Sequence, residues 1–287
     1  MPLDPAEALD EAIDRAVAAA LDEDLDEDGD VTSLTLIDLG TVGRARLVAR
    51  EPLVVAGLPI AQRVFRNIDP AVSFEARAED GDAVEGGTTL AEVSGEGRGL
   101  LIGERTALNF LMRLSGVASL TRRAVDEIAG TGARILDTRK TIPGLRRLDK
   151  YAVAVGGGVN HRMGLFDAAM IKDTHLALRP AIEPAVARLL ERGLTPEQIT
   201  VEVRSVQQLE AAIASGAGRA LLDNMDLEGL RACVAVGKGK IVLEASGGLA
   251  PGKLRPVAET GVDFLSLGAL THSAVAADVA MEMELGS

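Results

Sequence analysis

Six short apolar runs recur through the later part of the chain, and they constrain its fold more than any other feature. They are ARILDT (133–138), AAMIKD (168–173), ITVEV (199–203), RALLDN (219–224), KIVLEA (240–245) and VDFLSLG (262–268). Between them lie helical patterns, among them IEPAVARLLERG, VQQLEAAIASG, LEGLRACVAVG and LRPVAETG. Strand–helix alternation of this kind builds a parallel sheet, because each helix carries the chain back to start the next strand in the same direction. Six strands with no dinucleotide fingerprint favour an incomplete (β/α) barrel over a doubly wound sheet. The expected fold class is therefore α/β.

The first 115 residues read differently. An amphipathic helix from Pro5 to Leu21 is followed by the acidic run LDEDLDEDGDVTS. Asp24 to Gly29 matches the opening of a calcium-binding loop, but its twelfth position is Thr35 rather than a bidentate Glu, and no second helix is expected, so a solvated turn is the reading. The β-like segments ARLVAREPLVVAG, VSFEARAEDGDAV and TTLAEVSGEG come next. Residues 79–93 resemble the hairpin of a lipoyl- or biotinyl-carrier sandwich, yet no Lys precedes Lys140 to bear a prosthetic group. A helix over 104–128 carries Leu108, Leu111, Met112, Val117 and Leu120 at helical spacing, with Gly116 as a bend or a close packing point. The division expected is an N-terminal α+β sandwich domain over 1–115 and a barrel over 116–269, with a C-terminal helix over 270–287 packed on the former.

The net charge of −13 argues against a nucleic-acid or membrane surface. No run approaches the roughly 18 apolar residues of a membrane span. The acidic N-terminus is no signal peptide, and the single Cys233, read as a small apolar filler, fits a reducing, cytoplasmic setting. Acid-rich, Lys-poor composition suits a high-salt cytoplasm, but GC-rich coding bias produces the same look. Against this background residues 137–162, DTRKTIPGLRRLDKYAVAVGGGVNHR, are cationic.

In parallel barrels chemistry gathers at the C-terminal ends of the strands. Here those ends carry Thr138-Arg139-Lys140, Lys172-Asp173, Glu202, Asp223-Asn224, Glu244 to Gly248 and Ser266-Leu267-Gly268. Arg139, Lys140, His161, Arg162 and Lys172 form a cationic group suited to carboxylates and phosphates. Glu202 and Asp223, on consecutive strands, can hold Mg²⁺ or stabilise a cationic carbon. SGGL and SLGALTHS put flexible loops at helix N-termini, where backbone N–H groups bind phosphate. Arg146, Arg147 and Lys150 lie on a helical stretch and read as surface or interface charges. Taken singly, His161 and Glu202 suit structural roles as well as catalytic ones. The ligand indicated carries several carboxylates or phosphates and a carbon that becomes cationic. A phosphoribosyl transfer fits, with the acceptor open.

TRKTIPGLRRLDKYAVAVGGGVNHRMGLFDAAMIKDTH closely resembles the signature region of the quinolinate phosphoribosyltransferases. LDEDLDEDGDVTS, ERTALNFLMRLSGVAS, LLDNM, EASGGL and SLGALTHS resemble that family too, in the same order. The resemblance implies an open sandwich domain before an incomplete α/β barrel, and conversion of quinolinate and phosphoribosyl pyrophosphate to nicotinate mononucleotide, pyrophosphate and CO₂ with Mg²⁺. It implies a homodimer or higher homo-oligomer in which Arg105 reaches the neighbouring subunit's quinolinate. Thr138, Arg139, His161 and Arg162 would hold the ring carboxylates, and Lys140 and Lys172 would lie between the two substrates. Glu202 and Asp223 would face ribose and Mg²⁺, while Ser246, Gly247 and Gly248 with Leu267, Gly268 and Ala269 would cradle phosphate. One departure stands out: Arg204 follows Val201-Glu202-Val203, where the family often has an acidic or small polar residue. The rivals are a paralogous pyrophosphorylase-like protein linked to molybdenum transport, which the full cationic set disfavours, and a carrier module, which lacks its Lys. An acidic pair followed by a Thr/Gly phosphate loop, the type I phosphoribosyltransferase pattern, is absent from the sequence.

Overall fold

The computed structural model describes residues 5–178 and 181–284. The chain forms two compact units. The first comprises Met1–Leu120, Ile142–Gly157 and Ala274–Ser287; the second comprises Thr121–Thr141 and Gly158–Ser273.

In the first unit, helix α1 (Pro5–Leu25) runs on past Leu21 into the acidic stretch. Asp30 then caps a short helix, α2 (Val31–Leu36), accepting from the backbone N–H groups of Thr32 and Ser33. A second helix therefore does follow, and the acidic run ends as a helix cap rather than an ion loop. The principal sheet is antiparallel. It contains β1 (Val42–Ala49), β3 (Ser73–Ala76), β5 (Thr89–Glu96) and β12 (Val279–Met283) in the order β12-β1-β5-β3. A small pair is made by β2 (Leu53–Val54) and β4 (Ala83–Val84). Helix α3 (Leu58–Ile68) turns Ile60, Val64 and Phe65 inward, and the core is completed by Leu47, Leu90, Leu100 and Leu111.

Helix α4 (Gly97–Glu127) is continuous through Gly116. A Cβ at Gly116 would stand 2.1 Å from the Val275 carbonyl oxygen, so the glycine marks close packing and not a bend. Helix α5 (Arg146–Val155) corrects the reading of its charges: Lys150 is 1% exposed, and Asp149 beside it is also buried. Asp149 accepts from Arg113 at 2.9 Å and from the Ile142 N–H at 3.1 Å. Arg146 and Arg147 are half-buried.

The segment 270–287 also differs from expectation. It carries the end of a short helix, α11 (Ala269–His272), and then β12, which pairs antiparallel with β1 from Ala45↔Met283 to Ala49↔Val279. Ala, Met and Glu favour a helix locally, but the unpaired edge of β1 offers a full hydrogen-bond ladder, and that distant pairing prevails.

The second unit holds six parallel strands: β6 (Arg134–Leu136), β7 (Ala169–Ile171), β8 (Ile199–Val203), β9 (Arg219–Asp223), β10 (Val242–Ser246) and β11 (Phe264–Ser266). Their order is β6-β11-β10-β9-β8-β7, every adjacent pair parallel. The ring does not close, because β6 and β7 are its two edges. The intervening helices are α6 (Asp173–Leu178), α7 (Ile182–Glu191), α8 (Val206–Ala214), α9 (Leu227–Gly237) and α10 (Arg255–Ala258). This is the incomplete (β/α) barrel expected. Val201, Leu222, Leu243 and Leu265 are fully buried in the strand bodies, which leaves the strand ends for polar groups. No helix among the described residues is long and apolar enough to cross a membrane.

Candidate active site

A cleft of about 720 Å³ lies in the second unit, at the C-terminal ends of its strands. Of the residues proposed from sequence, Thr138, Arg139, Lys140, His161, Arg162, Lys172, Glu202, Asp223, Ser246, Gly247, Gly248, Gly268 and Ala269 all line it. Two do not. Leu267 is fully buried and its N–H donates to the Leu136 carbonyl at 2.9 Å, which removes it as a phosphate donor. Arg105 is exposed on α4 in the first unit and is absent from the lining.

The cationic wall is built on buried acids. Asp137, at the end of β6 and fully buried, accepts from the His161 N–H at 2.8 Å and so fixes the loop that presents His161 and Arg162. His161 Nδ1 accepts from the Arg162 N–H at 2.7 Å. The ring proton is thereby assigned to Nε2, which faces Glu244 Oε2 at 3.3 Å. Glu244 has no exposed surface, and Arg219 stands 3.6 Å from the same oxygen. Burial works to raise the Glu244 pKa, but the hydrogen bonds and charges of His161, Ser266 and Arg219 outweigh it and hold the carboxyl below its usual range. Arg162 donates to the Ala168 carbonyl at 2.8 Å. Burial, then the neighbouring Arg139 guanidinium, lower the Arg162 pKa, and Asp167 opposes them. An arginine stays charged regardless. Two guanidinium groups facing one cleft call for an anionic ligand.

The acidic side consists of Glu202 on β8 and Asp223 on β9. Burial, then the charges of Asp223 and Asp173, raise the Glu202 pKa above its ordinary value, against Lys172 and Arg204. Arg204 lies at the end of β8 and donates to Asp223 Oδ2 through Nε at 3.1 Å and Nη2 at 3.0 Å. Among the described residues no three His, Cys, Asp or Glu side chains gather closely enough to hold a metal ion unaided.

The glycine turn closes the cleft. Gly247 adopts φ +102° and Gly248 φ +62°, both in the left-handed region. A Cβ on Gly247 would meet Asn224 Oδ1 at 2.2 Å, and the Asn224 N–H donates to the Ser246 carbonyl at 2.9 Å. The ends of β9 and β10 are thus drawn together with backbone exposed to a ligand.

Glu244, Asn224 and His272 also line the cleft without a role assigned from sequence. For Glu244 the signal was present: one acid within the apolar run KIVLEA.

A barrel of this kind, with clustered cations facing paired carboxylates across glycine turns, defines a protein class that handles small, multiply anionic substrates, phosphates among them. Residues 117–282 match the family described as quinolinate phosphoribosyl transferase, C-terminal domain, and residues 30–115 match its N-terminal domain. The chain belongs to the quinolinate phosphoribosyl transferase family. It is 41% identical over 260 residues to the nicotinate-nucleotide pyrophosphorylase [carboxylating] of Mycobacterium leprae, covering 88% of this chain and 91% of that one. It is also 41% identical over 244 residues to a probable enzyme of the same name from Synechocystis sp., covering 84% of this chain and 83% of the relative. The crystal structure of nicotinate-nucleotide pyrophosphorylase from Ehrlichia chaffeensis superposes with a TM-score of 0.90 at 38% identity, over 94% of this chain and 98% of that one.

Proposed function

We propose that the chain is a carboxylating nicotinate-nucleotide pyrophosphorylase, a pentosyltransferase of de novo NAD biosynthesis. It joins quinolinate to phosphoribosyl pyrophosphate and yields nicotinate mononucleotide, pyrophosphate and CO₂. The observation that carries this reading is the cationic wall of Arg139, His161 and Arg162 facing Glu202 and Asp223 across one cleft.

Arg139, His161 and Arg162, with Thr138, hold the two ring carboxylates, and the Arg forks supply bidentate geometry. Lys140 and Lys172 neutralise charge where the two anionic substrates approach each other. The quinolinate nitrogen attacks the anomeric carbon, and the bond to pyrophosphate breaks with its electron pair leaving on the diphosphate. Glu202 and Asp223 stabilise the ribosyl carbon while it is cationic. The alkylated ring nitrogen then stabilises the carbanion left by loss of the adjacent carboxylate, and a proton replaces CO₂. Ser246, Gly247, Gly248, Gly268 and Ala269 receive phosphate.

The hard oxygen donors Glu202 and Asp223 suit Mg²⁺ when substrate phosphates complete the coordination. Bound there, Mg²⁺ would neutralise the diphosphate. We place the enzyme in the cytoplasm as a homodimer or higher homo-oligomer, with Arg105 serving the partner's site.

The test is an assay of the purified chain with quinolinate, phosphoribosyl pyrophosphate and Mg²⁺, following CO₂ and nicotinate mononucleotide. Product from nicotinate or another base, with none from quinolinate, would overturn the acceptor assignment.

A further inference from the structure

Arg204 occupies an unusual position for a cation. Its guanidinium places Nε and Nη2 on Asp223 Oδ2, at 3.1 and 3.0 Å, while Asn224 donates to Asp223 Oδ1 at 2.9 Å. The same Nη2 reaches Asp173 Oδ2 at 2.9 Å and stands 3.9 Å from Glu202 Oε1. One guanidinium thus collects three carboxylates at the ends of neighbouring strands, with Lys172 the other cation that acts on Glu202. Every oxygen of Asp223 already receives an N–H. A dication could not share Oδ2 with two donors of a positively charged group lying about 3 Å away. The Arg204 side chain is 57% exposed, so it can leave Asp223 without opening a buried cavity.

We infer that Arg204 is a resident counter-ion of the acidic pair, which a divalent cation must displace from Asp223. Asp223 is paired in the free protein, and the ion enters with a phosphorylated ligand that supplies oxygens in place of the one Arg204 holds. The polyanion also receives the guanidinium once it is released. This inference rests on reading Glu202 and Asp223 as the metal-facing pair of the proposed enzyme.

Mn²⁺ binding to the free protein, without substrate and followed by electron paramagnetic resonance of unbound Mn²⁺, tests it. Arg204→Asn is expected to bind Mn²⁺ at least about ten-fold more tightly than wild type, a coupling of ordinary size. Arg204→Lys, which keeps the charge, should stay near the wild-type affinity. Adding Asp223→Asn to Arg204→Asn should cancel the gain. Equal Mn²⁺ affinity in wild type and Arg204→Asn would overturn the inference, as would a gain that survives Asp223→Asn. Failure to form nicotinate mononucleotide would sink the functional reading without altering this titration.

Discussion

Glu244 shows how much of a site can rest on a residue that never needs to touch the substrate. It is wholly buried, yet charged, because His161 and Arg219 stand within 3.6 Å of one of its oxygens. A carboxylate there holds the His161 ring through Nε2, and with it the backbone of Arg162, which donates to Nδ1 of that ring. Glu244→Gln is therefore expected to raise the quinolinate KM by about ten-fold, the order of a lost charge-assisted hydrogen bond, with kcat little changed. A fall in kcat with KM unmoved would contradict this. Its depressed pKa also contributes stability above the ordinary glutamate range, lost as the pH falls through the folded-state value. Glu202 works in the opposite sense, because burial raises its pKa. The proposed mechanism uses its ionised form, so kcat should decline as the pH is lowered through a value above the ordinary glutamate pKa of about 4.3. The same shift lowers folding stability as the pH rises through that value. Glu202→Gln should then lose activity while gaining Tm at neutral pH, and the gain should vanish in acid. An unchanged Tm at pH 7 would refute the linkage. Arg139, Lys140 and Lys172 were legible in the sequence because the strand-end rule locates them, whereas His161 and Arg162 lie on the loop between α5 and β7. Glu244 stood out as one acid in an apolar run, but its role was not legible, because its partners His161, Arg219 and Ser266 come from other strands and loops.

Among the elements, the six parallel strands were readable because each is a short apolar run with no competing reading. The closing strand of the first unit was not. β12 is rich in helix formers, and its partner β1 lies at the other end of the chain, so nothing nearby in the sequence announces the pairing. Gly116 lies between these cases: its presence was conspicuous, but its reason became visible only with Val275 against α4. Gly116→Ala should destabilise the fold by about 1–3 kcal/mol, the usual result of forcing extra volume into close packing. Denaturant titration measures this, and an unaltered midpoint would mean that the 274–284 segment yields without penalty.

For the molecule as a whole, charge has two opposing consequences. The chain carries −13 overall while its cleft gathers arginine, lysine and histidine. Salt from about 0.01 to 0.1 M shortens the screening length from about 30 to about 10 Å. Self-repulsion should then relax and Tm rise, while the KM for both anionic substrates also rises as the cleft's attraction is screened. If KM were flat across this range, the cleft would not be acting through its field. Mixing variants tests the proposed homo-oligomer and its shared sites. Arg105→Ala and Arg162→Ala proteins, each inactive alone, should regain part of the activity when combined if Arg105 serves its neighbour. No recovery after verified subunit exchange would assign Arg105 elsewhere. β12 has a consequence for the order in which the chain matures. A ribosome releases β1, β3 and β5 early, but β1 lacks one of its two partners, and so keeps an open edge, until the entire second unit has been synthesised. Nascent chains must protect that edge from one another during the interval, and ribosomes stalled before Val279 would present an unpaired strand to holdase chaperones.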